Sequence, residues 1–106
     1  MDLLSVQTNV QNSTMVIKLK GTLDISTSNV IDPYLAEMGE IDVLIIDFSD
    51  LEFIDSTGIG SIMNAIYLSK DKGFKLTFEG VDELTHQVFE TVGLFQIMEA
   101  LREDEQ

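Results

Sequence analysis

Residues 43–67 decide the fold of this chain, and they read VLIIDFSDLEFIDSTGIGSIMNAIY. The segment opens with the longest unbroken apolar run, residues 43–46, which continues into Asp47 and Phe48. Such a run predicts a central strand that is covered on both faces. After a predicted loop over residues 49–56, apolar side chains recur at helical spacing and predict an amphipathic helix. Its buried face would carry Ile59, Ile62, Met63, Ile66 and Tyr67.

Two segments of alternating polarity precede the buried run, one over residues 4–10 and one over residues 15–20. Gln-Asn-Ser at 11–13 separates them, so we expect a β-hairpin that Gly21 closes. A helix should follow, with Ser26, Thr27 and Ser28 as candidate N-caps and Gly39 at its end. Its inward face would carry Val30, Ile31, Tyr34, Leu35 and Met38.

Pro33 conflicts with that helix, because proline is comfortable only in a first turn. The helix therefore either starts near Asp32 or bends at Pro33.

The chain downstream of residue 67 predicts one more strand, one more helix and a last short element. Gly73 is the expected C-cap of the central helix, and residues 74–79 alternate like a strand. Asp82 should cap a helix that ends at Gly93 and turns Leu84, Val88, Phe89 and Val92 inward. Residues 94–101 predict a last short element, and residues 103–106 a frayed acidic tail.

The resulting order, β-β-α-β-α-β-α, predicts an α/β fold in one domain over residues 1–106. Right-handed crossovers would pack the helices against a largely parallel sheet. The N-terminal hairpin would add an antiparallel strand at one edge.

Composition excludes several classes of function. Nineteen acidic residues oppose six basic ones, and the net charge of -13 disfavours nucleic acids and anionic membranes as partners. No apolar run approaches the roughly 20 residues that span a bilayer, and the N-terminus lacks the order of a signal peptide, so we expect a cytoplasmic protein. The chain has no cysteine, and its one histidine, His86, lies among polar residues as a surface side chain would.

Residues 53–61 carry the most informative chemistry, because they place two hydroxyls and two glycines where the central helix begins. Unpaired N–H groups and the helix dipole would stabilise an anion on Ser56 or Thr57. Gly58 and Gly60 would let another protein's active site come close. The alternative is an ordinary N-cap, although a helix-interior glycine such as Gly60 costs about 0.5–1 kcal/mol relative to alanine.

The order Asp-Ser-Thr-Gly-Ile-Gly at 55–60 resembles the Asp-Ser-(Ser/Thr)-Gly-Leu-Gly signature of STAS-domain anti-sigma factor antagonists. Gly-Thr-Leu-Asp at 21–24, the strand at 43–47 and Phe-Glu-Thr-Val-Gly-Leu at 89–94 also resemble that family, in the same order and spacing. Thr22 stands where relatives carry glutamate, Ile59 where they carry leucine, and Pro33 where they continue a helix.

The resemblance implies a monomeric STAS domain that binds an anti-sigma factor serine kinase carrying ATP and so releases a sigma factor. It implies that phosphorylation of Ser56 breaks this complex. Thr57 is the lesser alternative as phosphate acceptor, and we expect its hydroxyl to cap the helix. A PP2C-type phosphatase would reverse the modification, and no cofactor, metal or catalytic residue is implied. The expected partner-binding residues are Asp24, Asp55, Ser56, Thr57, Gly58, Ile59 and Gly60.

Two other functions remain open. Ser56 could be an enzyme's nucleophile beside a Mg²⁺ site made of Asp47, Asp50, Glu52 and Asp55, but no Lys or His lies near in sequence to act as a base. The loop at 53–61 also lacks the Walker lysine of a phosphate-binding loop and the Gly-x-Ser-x-Gly pattern of a nucleophile elbow. Alternatively, the chain could be a non-switching STAS subunit of a lipid-transport or stressosome complex.

Overall fold

The computed structural model describes residues 3–103 and begins with the predicted hairpin. Strand β1 (Leu4–Gln11) pairs antiparallel with β2 (Thr14–Leu23), in a register that runs from Leu4 opposite Gly21 to Gln11 opposite Thr14. Asn12 and Ser13 have positive φ angles of 50° and 68°, as the two central residues of a type I′ turn require. The hairpin prediction is confirmed, and β2 continues past Gly21.

Two further strands complete a four-stranded sheet in the order β1-β2-β3-β4. Strand β3 (Val43–Ile54) pairs parallel with β2 on one side and with β4 (Lys75–Glu79) on the other. The predicted sheet, largely parallel with an antiparallel strand at one edge, is therefore confirmed.

Strand β3 is longer than predicted, because residues 49–54 extend it where a loop was expected. Register irregularities between Lys18 and Lys20 and between Gly21 and Thr22 keep β2 alongside it as far as Leu23 opposite Ile54. The polar residues of this stretch can remain in a strand because β2 supplies their backbone partners.

The sheet is covered by helices on one face only, so the expectation that β3 is covered on both faces is wrong. Leu44, Ile46 and Phe48 are buried, whereas the alternate residues Val43 and Ile45 are only half-buried. The strands follow one another in spatial order without a reversal, and right-handed crossovers then place the two helices that connect parallel strands on the same side.

The first helix, α1 (Ser28–Ala36), contains Pro33 in its interior. It neither starts near Asp32 nor runs to Gly39, and Thr27 occupies its N-cap position without a capping side-chain bond. Tyr34, which was expected to face inward, is exposed, while Ile31 and Leu35 are fully buried. Packing of these two side chains outweighs the cost of an interior proline.

The remaining helices are α2 (Ser56–Lys72), α3 (Glu83–Thr91) and α4 (Leu94–Glu103). Gly73 ends α2 with a φ of 79°, and Asp82 caps α3 by accepting the Thr85 N–H at 2.7 Å, both as predicted. Glu103 ends α4, and the rest of the predicted tail, 104–106, lies outside the described residues.

The core lies between the helices and the covered face of the sheet. Phe89 of α3 is fully buried and packs edge-on against Phe48 of β3, with ring centroids 5.6 Å apart. Ile59, Ile62 and Ile66 are buried as predicted. Besides Tyr34, three residues that were expected inside are exposed instead, namely Tyr67, Leu84 and Val92.

Candidate functional site

Helix α2 begins where β3 ends, and Asp55 joins the two as the N-cap residue. Its Oδ1 accepts the Gly58 N–H at 2.9 Å, and its backbone carbonyl accepts the Ile59 N–H at 2.9 Å. The prediction that Thr57 provides the cap is therefore wrong. A carboxylate suits this position because it satisfies a free N–H and lies at the positive end of the helix dipole.

Ser56 is the first residue of α2, and it is exposed, whereas Thr57 is half-buried. The first N–H groups of a helix have no intrahelical acceptor, so the surroundings of Ser56 favour an added negative charge. Of the two hydroxyls, the one on Ser56 is the more accessible to another protein.

The Asp55 carboxylate also connects α2 to the end of β2. Its Oδ2 accepts the Ile25 N–H at 3.2 Å, and the Asp55 N–H donates to the Leu23 carbonyl at 3.2 Å. The segment that contains Asp24 is thereby held beside Ser56, although 31 residues separate the two along the chain.

Asp24 shapes the loop between β2 and α1. Its Oδ1 accepts hydrogen bonds from the Ser26 N–H at 2.9 Å and the Ser26 hydroxyl at 2.7 Å. The Ser26 hydroxyl bond is the main reason why the pKa of the Asp24 carboxyl lies below its usual value, so this group is ionised at neutral pH. Helix α1 starts only at Ser28, so Asp24 precedes the helix and does not cap it.

Thr27 anchors this loop from the inside, a role that the sequence pattern did not indicate. Its side chain is buried, and its hydroxyl donates to the Thr22 carbonyl at 2.7 Å and accepts the Asp24 N–H at 2.9 Å. The order Asp-x-Ser-Thr at 24–27 is typical of turns held by side-chain-to-backbone hydrogen bonds. This pattern is the feature of the sequence from which the role of Thr27 could have been predicted.

Two of the seven expected partner-binding residues are buried, and the other five are exposed or half-buried. Gly58 and Ile59 are buried, and Ile59 belongs to the hydrophobic core. A Cβ on Gly58 would collide with the Leu23 carbonyl and lie 2.8 Å from the Ile54 side chain, so this glycine serves the packing of α2 on the sheet. Gly60 is exposed, with open space where its Cβ would be.

The four carboxylates of the alternative Mg²⁺ site are not grouped into a metal site. Asp50 pairs with Lys18 at 3.2 Å, and Asp47 accepts the Ser49 N–H at 2.9 Å, which lowers the pKa of the Asp47 carboxyl. Among residues 3–103, no three side chains of His, Cys, Asp or Glu are grouped as a metal site would require. His86 is an exposed side chain 3.4 Å from Glu90, as its sequence context predicted. No helix within the same residues is long and apolar enough to cross a membrane.

Residues 5–106 match the family model of the STAS domain. The chain belongs to the STAS domain family. The anti-sigma F factor antagonist of Paenibacillus polymyxa is 26% identical over 98 residues, which cover 90% of this chain and 84% of that relative. The anti-sigma-B factor antagonist of Staphylococcus aureus is also 26% identical, with 90% of each chain covered.

Solved structures confirm the fold of this STAS domain. The anti-sigma factor antagonist SpoIIAA in its unphosphorylated form has a TM-score of 0.70 at 23% identity, covering 81% of this chain and 82% of that one. The phosphorylated form of SpoIIAA from Bacillus has a TM-score of 0.71 at 24% identity, covering 87% and 86%. A sulfate transporter family protein from Wolinella succinogenes has a TM-score of 0.72 at 19% identity, covering 88% and 75%.

Proposed function

We propose that this protein is an anti-sigma factor antagonist whose complex with its partner is broken by phosphorylation of Ser56. The observation that carries the proposal is the position of Ser56, an exposed hydroxyl at the first residue of α2, beside the loop that contains Asp24. The names of the relatives in Paenibacillus polymyxa and Staphylococcus aureus support the same function.

The proposed partner is an anti-sigma factor with serine-kinase activity. Because this kinase would use ATP, the phosphorylation would take place in the cytoplasm. The Ser56 Oγ would attack the γ-phosphorus of ATP, the bond to ADP would break, and the hydroxyl proton would leave to solvent or to a base of the kinase. This protein would supply only the nucleophile and would not act as an enzyme. A PP2C-type phosphatase would remove the phosphate by hydrolysis.

Phosphorylation would weaken the complex without unfolding the free domain. The phosphate adds a charge of about -1.5 to -2, which the N-terminus of α2 can accommodate in the free protein. In the complex, the same group would face the kinase's own ATP phosphates, so it would meet repulsion and a desolvation cost. A loss of about 3 kcal/mol weakens affinity by more than about a hundredfold.

The test is a calorimetric titration of each purified anti-sigma factor of the host, with nucleotide present, against four forms of this protein. We expect the unmodified protein and Ser56→Ala to bind, and the phosphoprotein and Ser56→Asp to bind more than about a hundredfold more weakly. Thr57→Val is the matched control and should still accept phosphate. Equal affinity of the phosphoprotein and the unmodified protein would refute the mechanism, as would phosphopeptide mapping that puts the phosphate on Thr57.

A pull-down from host lysate separates this function from that of a non-switching subunit. The proposed switch should recover a small ATPase-kinase only while Ser56 is unmodified. Recovery of transporter subunits, independent of the state of Ser56, would favour the alternative.

A further inference from the structure

Strand β1 lies at one edge of the sheet, and among residues 3–103 its only strand neighbour is β2. Edge strands that stay single are commonly protected by charged residues, proline or bulges. The sequence of β1, Leu-Ser-Val-Gln-Thr-Asn-Val-Gln, has neither a charged residue nor a proline, and it pairs with β2 residue for residue. The opposite edge differs, because β4 is shorter and carries Lys75 and Glu79 at its ends. Strand β1 is therefore the edge that is open to another strand.

The backbone groups that β1 turns away from β2 belong to alternate residues. A two-residue turn makes its flanking residues, Gln11 and Thr14, a hydrogen-bonded pair, and such pairs alternate with non-hydrogen-bonded pairs along an antiparallel ladder. The outward N–H and C=O groups are therefore those of the even-numbered residues, Leu4, Val6, Thr8 and Val10. The side chains of these residues lie on the helix-covered face, where Leu4 is buried.

A second copy of β1 fits this edge best in one antiparallel register. Pairing Leu4 with Val10 of the second copy, and Val6 with Thr8, joins every outward backbone group of both strands in a hydrogen bond. A shift of two residues in either direction would leave some of these groups without a partner. In the best register, the two-fold axis passes beside Gln7, which would face its own counterpart on the uncovered face of the sheet.

The side chains along this edge suit a second copy better than a different protein. On the helix-covered face, Val10 is 58% exposed and would be covered by the Leu4 side chain of the second copy. Residues 3–17 contain no charged side chain, although the net charge of the chain is -13. A basic partner gains no attraction at such a strand, whereas a second copy brings one neutral strand against another.

We propose that β1 is a self-association edge, through which two copies of this chain form one continuous sheet with its two-fold axis beside Gln7. This state differs from the monomer that the family resemblance implies. The inference does not depend on the proposed function. Ser56 follows the end of β3, which β2 separates from β1, so the association would leave the phosphorylation site open.

Disulfide cross-linking tests the register directly, because the chain has no cysteine of its own. The Cα atoms of a non-hydrogen-bonded pair lie about 4.5 Å apart, which a disulfide can span. We expect oxidised Gln7→Cys to form a covalent dimer. Gln11→Cys is the matched control, since it is exposed on the same strand, but its counterpart would lie roughly 27 Å away and should not cross-link. Equal cross-linking of the two variants, or preferential cross-linking of Asn9→Cys, would overturn the inference.

Sedimentation equilibrium of the unlinked protein completes the test. We expect a concentration-dependent dimer that strengthens with added salt, because salt screens the repulsion between two acidic copies. Gln7→Lys places like charges opposite each other and should weaken the dimer about fivefold, whereas Gln11→Lys should change it less than about twofold. Both positions are exposed, so the urea midpoint of each variant should stay unchanged.

Two outcomes of the sedimentation experiment would refute self-association through β1. One is a protein that stays monomeric at millimolar concentration in both low and high salt. The other is a dimer that Gln7→Lys and Gln11→Lys weaken equally. Neither result bears on Ser56, whose phosphorylation is measured separately with the kinase.

Discussion

Gly58 and Gly60 lie in the same turn of α2 and are glycines for different reasons. Gly58 is buried, and its missing side chain lets the helix approach the end of β2, where the Leu23 carbonyl and the Ile54 side chain leave no room for a methyl group. Gly60 is exposed and has open space beside it. Its presence has no explanation within this chain, which is consistent with close approach by a partner.

Alanine at these two positions should change stability in opposite directions. We expect Gly58→Ala to lower the free energy of unfolding by about 2 kcal/mol, because the added methyl group must displace backbone. Gly60→Ala should raise it by about 0.5–1 kcal/mol through helix propensity. Urea denaturation of both variants is the measurement, and a stabilised Gly58→Ala would show that the contact between α2 and β2 is looser than described.

At the scale of elements, α1 is the helix whose sequence agrees least with its structure. Pro33 in its interior cannot donate to the Asn29 carbonyl, and the Thr27 side chain is used by the preceding loop and not as a cap. The helix is held by its buried residues Ile31 and Leu35. It follows that α1 depends on tertiary packing more than α2 does, because α2 has both an N-cap, Asp55, and a C-cap, Gly73.

Replacing Pro33 with alanine should therefore stabilise the protein. The change restores a backbone hydrogen bond in α1 and removes no buried contact, since Pro33 is exposed. We expect the free energy of unfolding to rise by about 1 to 2 kcal/mol, after the greater freedom of the unfolded chain is subtracted. Thermal and urea unfolding measure this, with the exposed neighbour Asp32→Ala as a control expected within about 0.5 kcal/mol. A loss of stability in Pro33→Ala would contradict the role given to packing in this helix.

For the whole molecule, the acidic charge has two opposite effects on stability. A net charge of -13 causes repulsion that opposes the folded state at neutral pH. Yet three carboxylates, those of Asp24, Asp47 and Asp82, have pKa values lowered in the folded state. In each case the principal cause is a hydrogen bond, from the Ser26 hydroxyl, the Ser49 N–H and the Thr85 N–H respectively.

These lowered pKa values predict acid sensitivity with a defined window. A carboxyl whose pKa is lower folded than unfolded stabilises the protein above its unfolded value of 3.8, and this contribution is lost as the pH falls below it. We expect the melting temperature to stay level or rise from pH 7 to about 5, as repulsion falls, and to drop below about pH 4. Melting curves at low and high salt separate the effects, because salt screens the repulsion more than the short hydrogen bonds. A melting temperature that keeps rising down to pH 3 would contradict the prediction.

Much of the fold could be predicted from the sequence, because it depends on patterns that are local in the chain. The two-residue turn at Asn12 and Ser13, the Asp82 cap and the Gly73 terminus each follow from the chemistry of a few adjacent residues. Element order then determined the mixed sheet through the handedness of crossovers. The motif around Ser56 is likewise local in the chain, and it indicates the STAS family.

Only the tertiary structure decided which faces are covered and what the loop residues contact. The polar half of β3 is a strand because β3 itself bulges and so remains beside β2. The two connecting helices cover one face of the sheet because both crossovers turn the same way. The double use of the Asp55 carboxylate likewise depends on two segments about 30 residues apart meeting in space. Local propensity cannot determine such contacts, because each partner's conformation is set by the other.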